Sequence, residues 1–204
     1  MSMSIHVRKA SETQYYPIFL DVLEYLIGGC TIATGALKTT TKWLRKGSIL
    51  GESSSTSGIY YLCKSAEVYE DSSVVTVSVL RNHEFVAGDY ICNGTKSTLI
   101  ASVTVGTDYD TIVGTAALEV SDGDVLYAGT SEGFDAADIT QEYTPKCILR
   151  DSVRVLEYSE EGCLTTLDNV AAGAVVRGTV DESTMPYPVA SAMKTSLTDR
   201  IRFA

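Results

Sequence analysis

Two histidines, five cysteines and 26 carboxylates are the side chains of this chain with the most chemistry to offer. His6 lies near the start and His83 in a turn-like stretch, so a histidine relay or a histidine-rich metal cage has almost no material. Cys30, Cys63, Cys92, Cys147 and Cys163 are odd in number and far apart, with no C-x-x-C pair. That pattern reads as buried, reduced thiols acting as small apolar groups, and it points to synthesis in a reducing compartment. Asp108-x-Asp110 and Asp122-x-Asp124 set oxygen ligands two residues apart, as a hard cation would need. Neither continues into a full calcium loop, and both fall where hairpin turns are expected, so no metal is assigned. Glycine-rich phosphate loops, nucleophile elbows and H-E-x-x-H pairs do not occur. No catalytic residue, cofactor or enzyme activity is expected.

Tyrosine is the one side chain present in quantity that could serve recognition, with 12 copies. Tyr60-Tyr61 fits ordinary strand composition. Tyr15-Tyr16 lies in a segment with no core of its own, and with Ile18 and Phe19 it forms the candidate contact surface for a partner. Asn93-Gly94-Thr95 matches a glycosylation sequon but reads as a turn.

The elements that must position these groups are mostly strands. Val, Ile and Thr number 55 against 16 Leu, a bias toward pleated sheet. The 204 residues suffice for one ordinary domain or two small ones, and a 45% hydrophobic share with 21% charged residues is the balance of a globular chain. A net charge of −10 argues against nucleic acid or an anionic membrane as the main partner. The polar start and the acidic interruptions at Asp21 and Glu24 fit neither a signal peptide nor a membrane span. The charge is uneven: the first fifty residues hold six Lys/Arg against three Asp/Glu, whereas residues 108–142 hold nine acidic residues and no basic one.

Ile18, Val22, Leu23, Leu26 and Ile27 predict a short helical stripe bounded by Pro17 and Gly28-Gly29, within an N-terminal arm over 1–29. GESSSTSG at 51–58 reads as a loop. From Gly58 the alternation is strand-like through IYYLCKSAEVY, VVTVSVL, TLIASVTV, TIVGTAALEV and DVLYAGT, with turn signals between, which suggests a small barrel or sandwich. Residues 131–146 read as a connection. Strand patterns resume at CILRDSVRVLEY and at 174–180, followed by a short amphipathic helix after Pro188 and a final strand near Ile201 and Phe203.

Two stretches resemble head proteins of tailed phages. Lys64-Ser65-Ala66, Asn82-His83-Glu84-Phe85-Val86-Ala87-Gly88-Asp89, Ile100-Ala101-Ser102 and Tyr109-Asp110-Thr111-Ile112 occur in an order similar to the repeated layout of phage head fiber proteins. Lys46-Gly47-Ser48-Ile49-Leu50-Gly51, Cys147-Ile148-Leu149-Arg150-Asp151-Ser152-Val153-Arg154-Val155 and Ala174-Val175-Val176-Arg177-Gly178-Thr179-Val180 resemble the strands of lambda-type head decoration proteins. Residues 186–197, with Ile201 and Phe203, are similar to their closing helix and strand.

The resemblance implies a mainly β protein with a decoration-type β domain from 30–57 and 145–204. A head-fiber-type module at 58–130 is inserted in it, joined by a connection at 131–144 and preceded by the arm at 1–29. It also implies a virion protein on the outer surface of the capsid, a homotrimer made in the bacterial cytoplasm, with the major capsid protein lattice as partner and a fibre or tip protein as a further one. Two other classes remain open at this stage. A glycan- or host-binding module would expose Tyr90, Tyr109 and Tyr127, and a sugar hydrolase would need two of the carboxylates between Asp108 and Asp138 facing each other across about 5 to 9 Å.

Overall fold

Branched residues alternating with polar ones pull this chain into strands, and glycines with positive φ, such as Gly88 and Gly123, turn the chain between them. The computed structural model describes residues 17–135, 139–158, 164–166 and 169–204. The fold is mainly β with one short C-terminal helix. In chain order the strands begin with β1 (Phe19–Tyr25), β2 (Cys30–Ala33), β3 (Trp43–Leu44), β4 (Ile49–Ser53), β5 (Thr56–Leu62) and β6 (Ser65–Glu67). Next come β7 (Thr76–Leu80), β8 (Tyr90–Cys92), β9 (Ser97–Thr104), β10 (Tyr109–Gly114), β11 (Val125–Gly129) and β12 (Thr144–Leu149). The last are β13 (Val153–Arg154), β14 (Leu156–Tyr158), β15 (Leu164–Thr166), β16 (Asn169–Ala172), β17 (Ala174–Val180) and β18 (Ile201–Phe203). The helix α1 (Ser191–Leu197) precedes β18.

Eight strands form one sheet in the order β1-β17-β12-β4-β5-β2-β16, with β18 added parallel to β17. Its central strands bury both faces. In β12, Ile148 points into a core with α1, while Cys147 and Leu149 point into a second core with Ile32, Leu44 and Leu62. Six strands form a second sheet, β6-β11-β8-β9-β10-β7, while β3 with β13 and β14 with β15 make separate two-stranded pairs. A bridge from Val68 to Val79 brings the first and last strands of the six-stranded sheet together, so the sheet curls into a small barrel around Phe85, Ile100, Ile112 and Leu126. The core at α1 joins the two sheets, because Cys92 and Tyr127 of the barrel pack with Ile49, Ile148, Val189 and Met193.

Three expectations differ from this arrangement. The stretch from Ile18 to Ile27 is not helical: residues 19–25, placed in the arm by sequence, form an edge strand of the large sheet. Pro17 and Gly28-Gly29 leave too few residues for an independent helix, whereas β17 offers a partner for the backbone. GESSSTSG is not a plain loop but the tight end of the β4–β5 hairpin, with Glu52 opposite Tyr60 and Ser53 opposite Thr56. The run IYYLCKSAEVY, read as the first strand of the inserted module, is divided: β5 pairs with β4 and β2 in the large sheet, and β6 pairs with β11 in the barrel. Strand-forming residues run through both halves, so the crossing at Cys63-Lys64 carries no turn signal in the sequence.

Candidate functional site

The crossing from β5 to β6 places Lys64 in the interior, only 1% exposed, where a lone ammonium would be costly. Its Nζ donates to Asp89 Oδ2 at 2.6 Å, and that carboxylate also accepts from Val86 N at 2.9 Å, closing the turn before β8. A second buried set lies where residues 34–45 of the large-sheet half meet the barrel. Glu84 accepts from Thr41 Oγ1 at 2.6 Å, Tyr187 Oη at 3.2 Å and Lys38 N at 3.2 Å. His83 Nε2 lies 3.1 Å from Asp110 Oδ2, with Lys38 Nζ at 3.8 Å from the same oxygen.

A buried His–Asp pair invites a catalytic reading, and its hydrogen bonds argue otherwise. Phe85 N donates to His83 Nδ1 at 3.2 Å, which makes Nδ1 the acceptor and leaves the ring proton on Nε2, donated to Asp110. Both nitrogens are engaged within the chain, so the ring has no free nitrogen to abstract a proton from a substrate. Burial, reinforced by Lys38, pushes the His83 pKa down to about 4 against the pull of Asp110. The neutral ring is a brace between the β7–β8 connection and β10.

Above this brace opens a cleft of about 450 Å³ lined by Lys38, Lys42, Arg45 and Arg81 together with Trp43 and Val105. Its two acids, Glu84 and Asp110, are buried in the bonds just described, so the accessible charge is positive. Burial lowers the Lys38 pKa, opposed by Glu84 and Asp110. Among the described residues no group of three His, Cys, Asp or Glu side chains could hold a metal ion. Asp124 instead caps the turn through Ser121 N at 2.8 Å, and Asp110 Oδ1 accepts from Gly106 N at 3.2 Å.

The second candidate is the edge strand β1. Its pairing with β17 slips three times: the extra residue is Leu20 between Phe19 and Asp21, Leu23 between Val22 and Glu24, and Val176 of β17 opposite the step from Glu24 to Tyr25. Each bulge in β1 turns a leucine outward, 52% exposed at Leu20 and 74% at Leu23, and Ile27 beyond the strand is 97% exposed. Natural edge strands are usually blunted by charge, and Asp21 and Glu24 alternate with these leucines. Close approach of the strand needs Gly178, where a Cβ would stand 2.5 Å from Asp21 O.

No protein-family model, curated protein or solved structure matches this chain.

Of the residues singled out as partner contacts, Tyr15 and Tyr16 lie outside the described residues. Ile18 and Phe19 are half-buried against their own molecule. Ile18 lies over Gly47, beside Pro186, and its carbonyl accepts from Asp181 N at 2.8 Å. Phe19 packs on the core with α1, under Lys46 Nζ at 5.4 Å. The outward groups are Leu20, Leu23, Tyr25 and Ile27, which a helical period did not separate from inward ones. Tyr127 is buried and Tyr90 and Tyr109 are half-buried, so these three do not form an open platform; Tyr109 stacks instead on Tyr69 at 4.8 Å. The brace and the cleft escape a local reading because their parts lie 27 to 103 residues apart, although polar Asn82-His83-Glu84 before a buried Phe is a visible hint.

Proposed function

We propose that this chain is a structural virion protein, an auxiliary capsid protein that binds the outside of an assembled tailed-phage head and stabilises it or projects from it. The observation that carries the reading is the pair of bulges in β1, which aim Leu20 and Leu23 away from the molecule at the edge of the large sheet. Exposed leucines on an open edge cost solubility unless a partner covers them, and the strand's free backbone groups can add to a neighbouring sheet. The order of head-protein-like segments supports the choice of the major capsid lattice as that partner. In this reading the chain is a homotrimer, residues 1–29 and the large sheet face the shell, and the acidic barrel points outward, where it can carry a fibre or tip protein. No reaction is part of the function.

The test is co-sedimentation with empty heads of the phage that encodes the chain. Wild-type protein pellets with the heads, and the double substitution Leu20→Asp/Leu23→Asp lowers binding at least tenfold while leaving the circular dichroism spectrum unchanged. Equal pelleting of the double variant would remove β1 from the interface, and absence of wild-type binding would remove the function itself. A glycan-binding role has one specific point in its favour, the stacked Tyr69–Tyr109 pair with Tyr69 44% exposed. Loss of cell adhesion in Tyr69→Ala, with head binding intact, would favour that role.

A further inference from the structure

The basic cleft has a counterpart on the same chain. At its mouth Trp43 is 54% exposed, flanked by Lys42 and Arg45; neither of these is in an ion pair among the described residues. At the far end of β9, Gly133 pairs with Ser97, N to O at 2.7 Å, and this bridge holds up Phe134, which is 65% exposed between Glu132 and Asp135. Glu132 is fixed by Thr115 Oγ1 at 2.9 Å. One end of the barrel therefore carries an aromatic side chain between two acids. The other carries an aromatic and apolar cleft, with Val105, among four cations.

Ser97 and Thr104 bound β9, and eight residues at about 3.3 Å each separate the two ends by about 25 Å. The knob cannot reach the cleft of its own molecule. We infer that the Phe134 knob of one copy docks in the Trp43 cleft of the next, making a head-to-tail contact between copies of this chain. The contact is heterologous, so it closes into a ring when the rotation allows. Opposite charges steer the encounter, and the aromatic pair supplies the buried centre. A count of three in the ring rests on the trimer of the proposed function; the contact itself does not.

Light scattering on the full chain, in the absence of phage heads, tests the contact. At about 100 µM wild type has a mass that is a multiple of 21.9 kDa, falling toward 21.9 kDa in about 0.5 M NaCl as screening weakens the charge pairs. Lys42→Glu/Arg45→Glu and Glu132→Lys/Asp135→Lys each give monomers, all four positions being exposed and therefore tolerant of substitution. The chain carrying all four substitutions regains the wild-type mass, because the charges are exchanged and still complementary. A monomeric wild type, an unchanged mass in either double variant, or a quadruple variant that stays monomeric overturns the proposal. Since no head is present, failure of capsid binding leaves this result untouched.

Discussion

At the scale of single residues, this protein places unusual weight on buried polar side chains. Lys64 and Asp89 form an ion pair with the lysine wholly inside, and His83 and Asp110 a hydrogen bond, both across turns that the barrel needs. Such groups are costly alone and rigid when every partner is present. His83 gives this a measurable consequence. With the folded pKa near 4 and the ordinary value near 6.5, the unfolded chain binds more protons between those limits, so stability rises with pH there. The contribution is complete above pH 6.5 and is lost as pH falls toward 4, to the extent of about 3 kcal/mol. Thermal melts of wild type and His83→Gln from pH 7 to 4 measure this, and wild type should show the steeper fall. Parallel curves would show that another group sets the dependence.

At the scale of elements, β1 is the strand whose attachment is most specific. Among the described residues its strand partner is β17 alone, with three slips in register, two of them bulges in β1, and one close approach at Gly178. Gly178→Ala puts a methyl group against the Asp21 carbonyl and must push β1 outward, while β17 keeps its pairing to β12 and β18. The expected outcome is early proteolytic cleavage within residues 17–27 and weaker head binding, with a loss of stability on the order of 1–3 kcal/mol. Hydrogen exchange as slow at β1 as in wild type would mean that the sheet adjusts without releasing the strand.

At the scale of the whole molecule, the two sheets are not independent. Cys92 and Tyr127 of the barrel share a core with Ile148, Met193 and Leu197, Ser65 Oγ donates to Pro188 O at 2.6 Å, and Tyr187 donates to Glu84. Helix α1 and the segment before it therefore act as a common wall. Unfolding should be one cooperative transition, with calorimetric and van't Hoff enthalpies in agreement. Two separable transitions would show that the shared wall is weaker than the core of each sheet.

The amino-acid sequence by itself determined the class of the fold, because branched residues in period-two alternation, with glycine turns between them, have few other ways to bury their apolar face. It also placed β17, α1 and β18 within a residue or two, where local signals and the fold agree. What only the tertiary structure decided was which sheet each strand joins. The run from Ile59 to Tyr69 keeps strand-forming residues on both sides of the change of sheet, and only the burial of Lys64, which no local pattern reveals, marks where β5 gives way to β6. β1 imitates a helix for a different reason: its two bulges shift the outward positions off a period of two. The brace of Lys38, His83, Glu84, Asp110 and Tyr187 joins positions far apart in the chain, and hydrogen bonds of that reach depend on the packing of both sheets rather than on any local pattern.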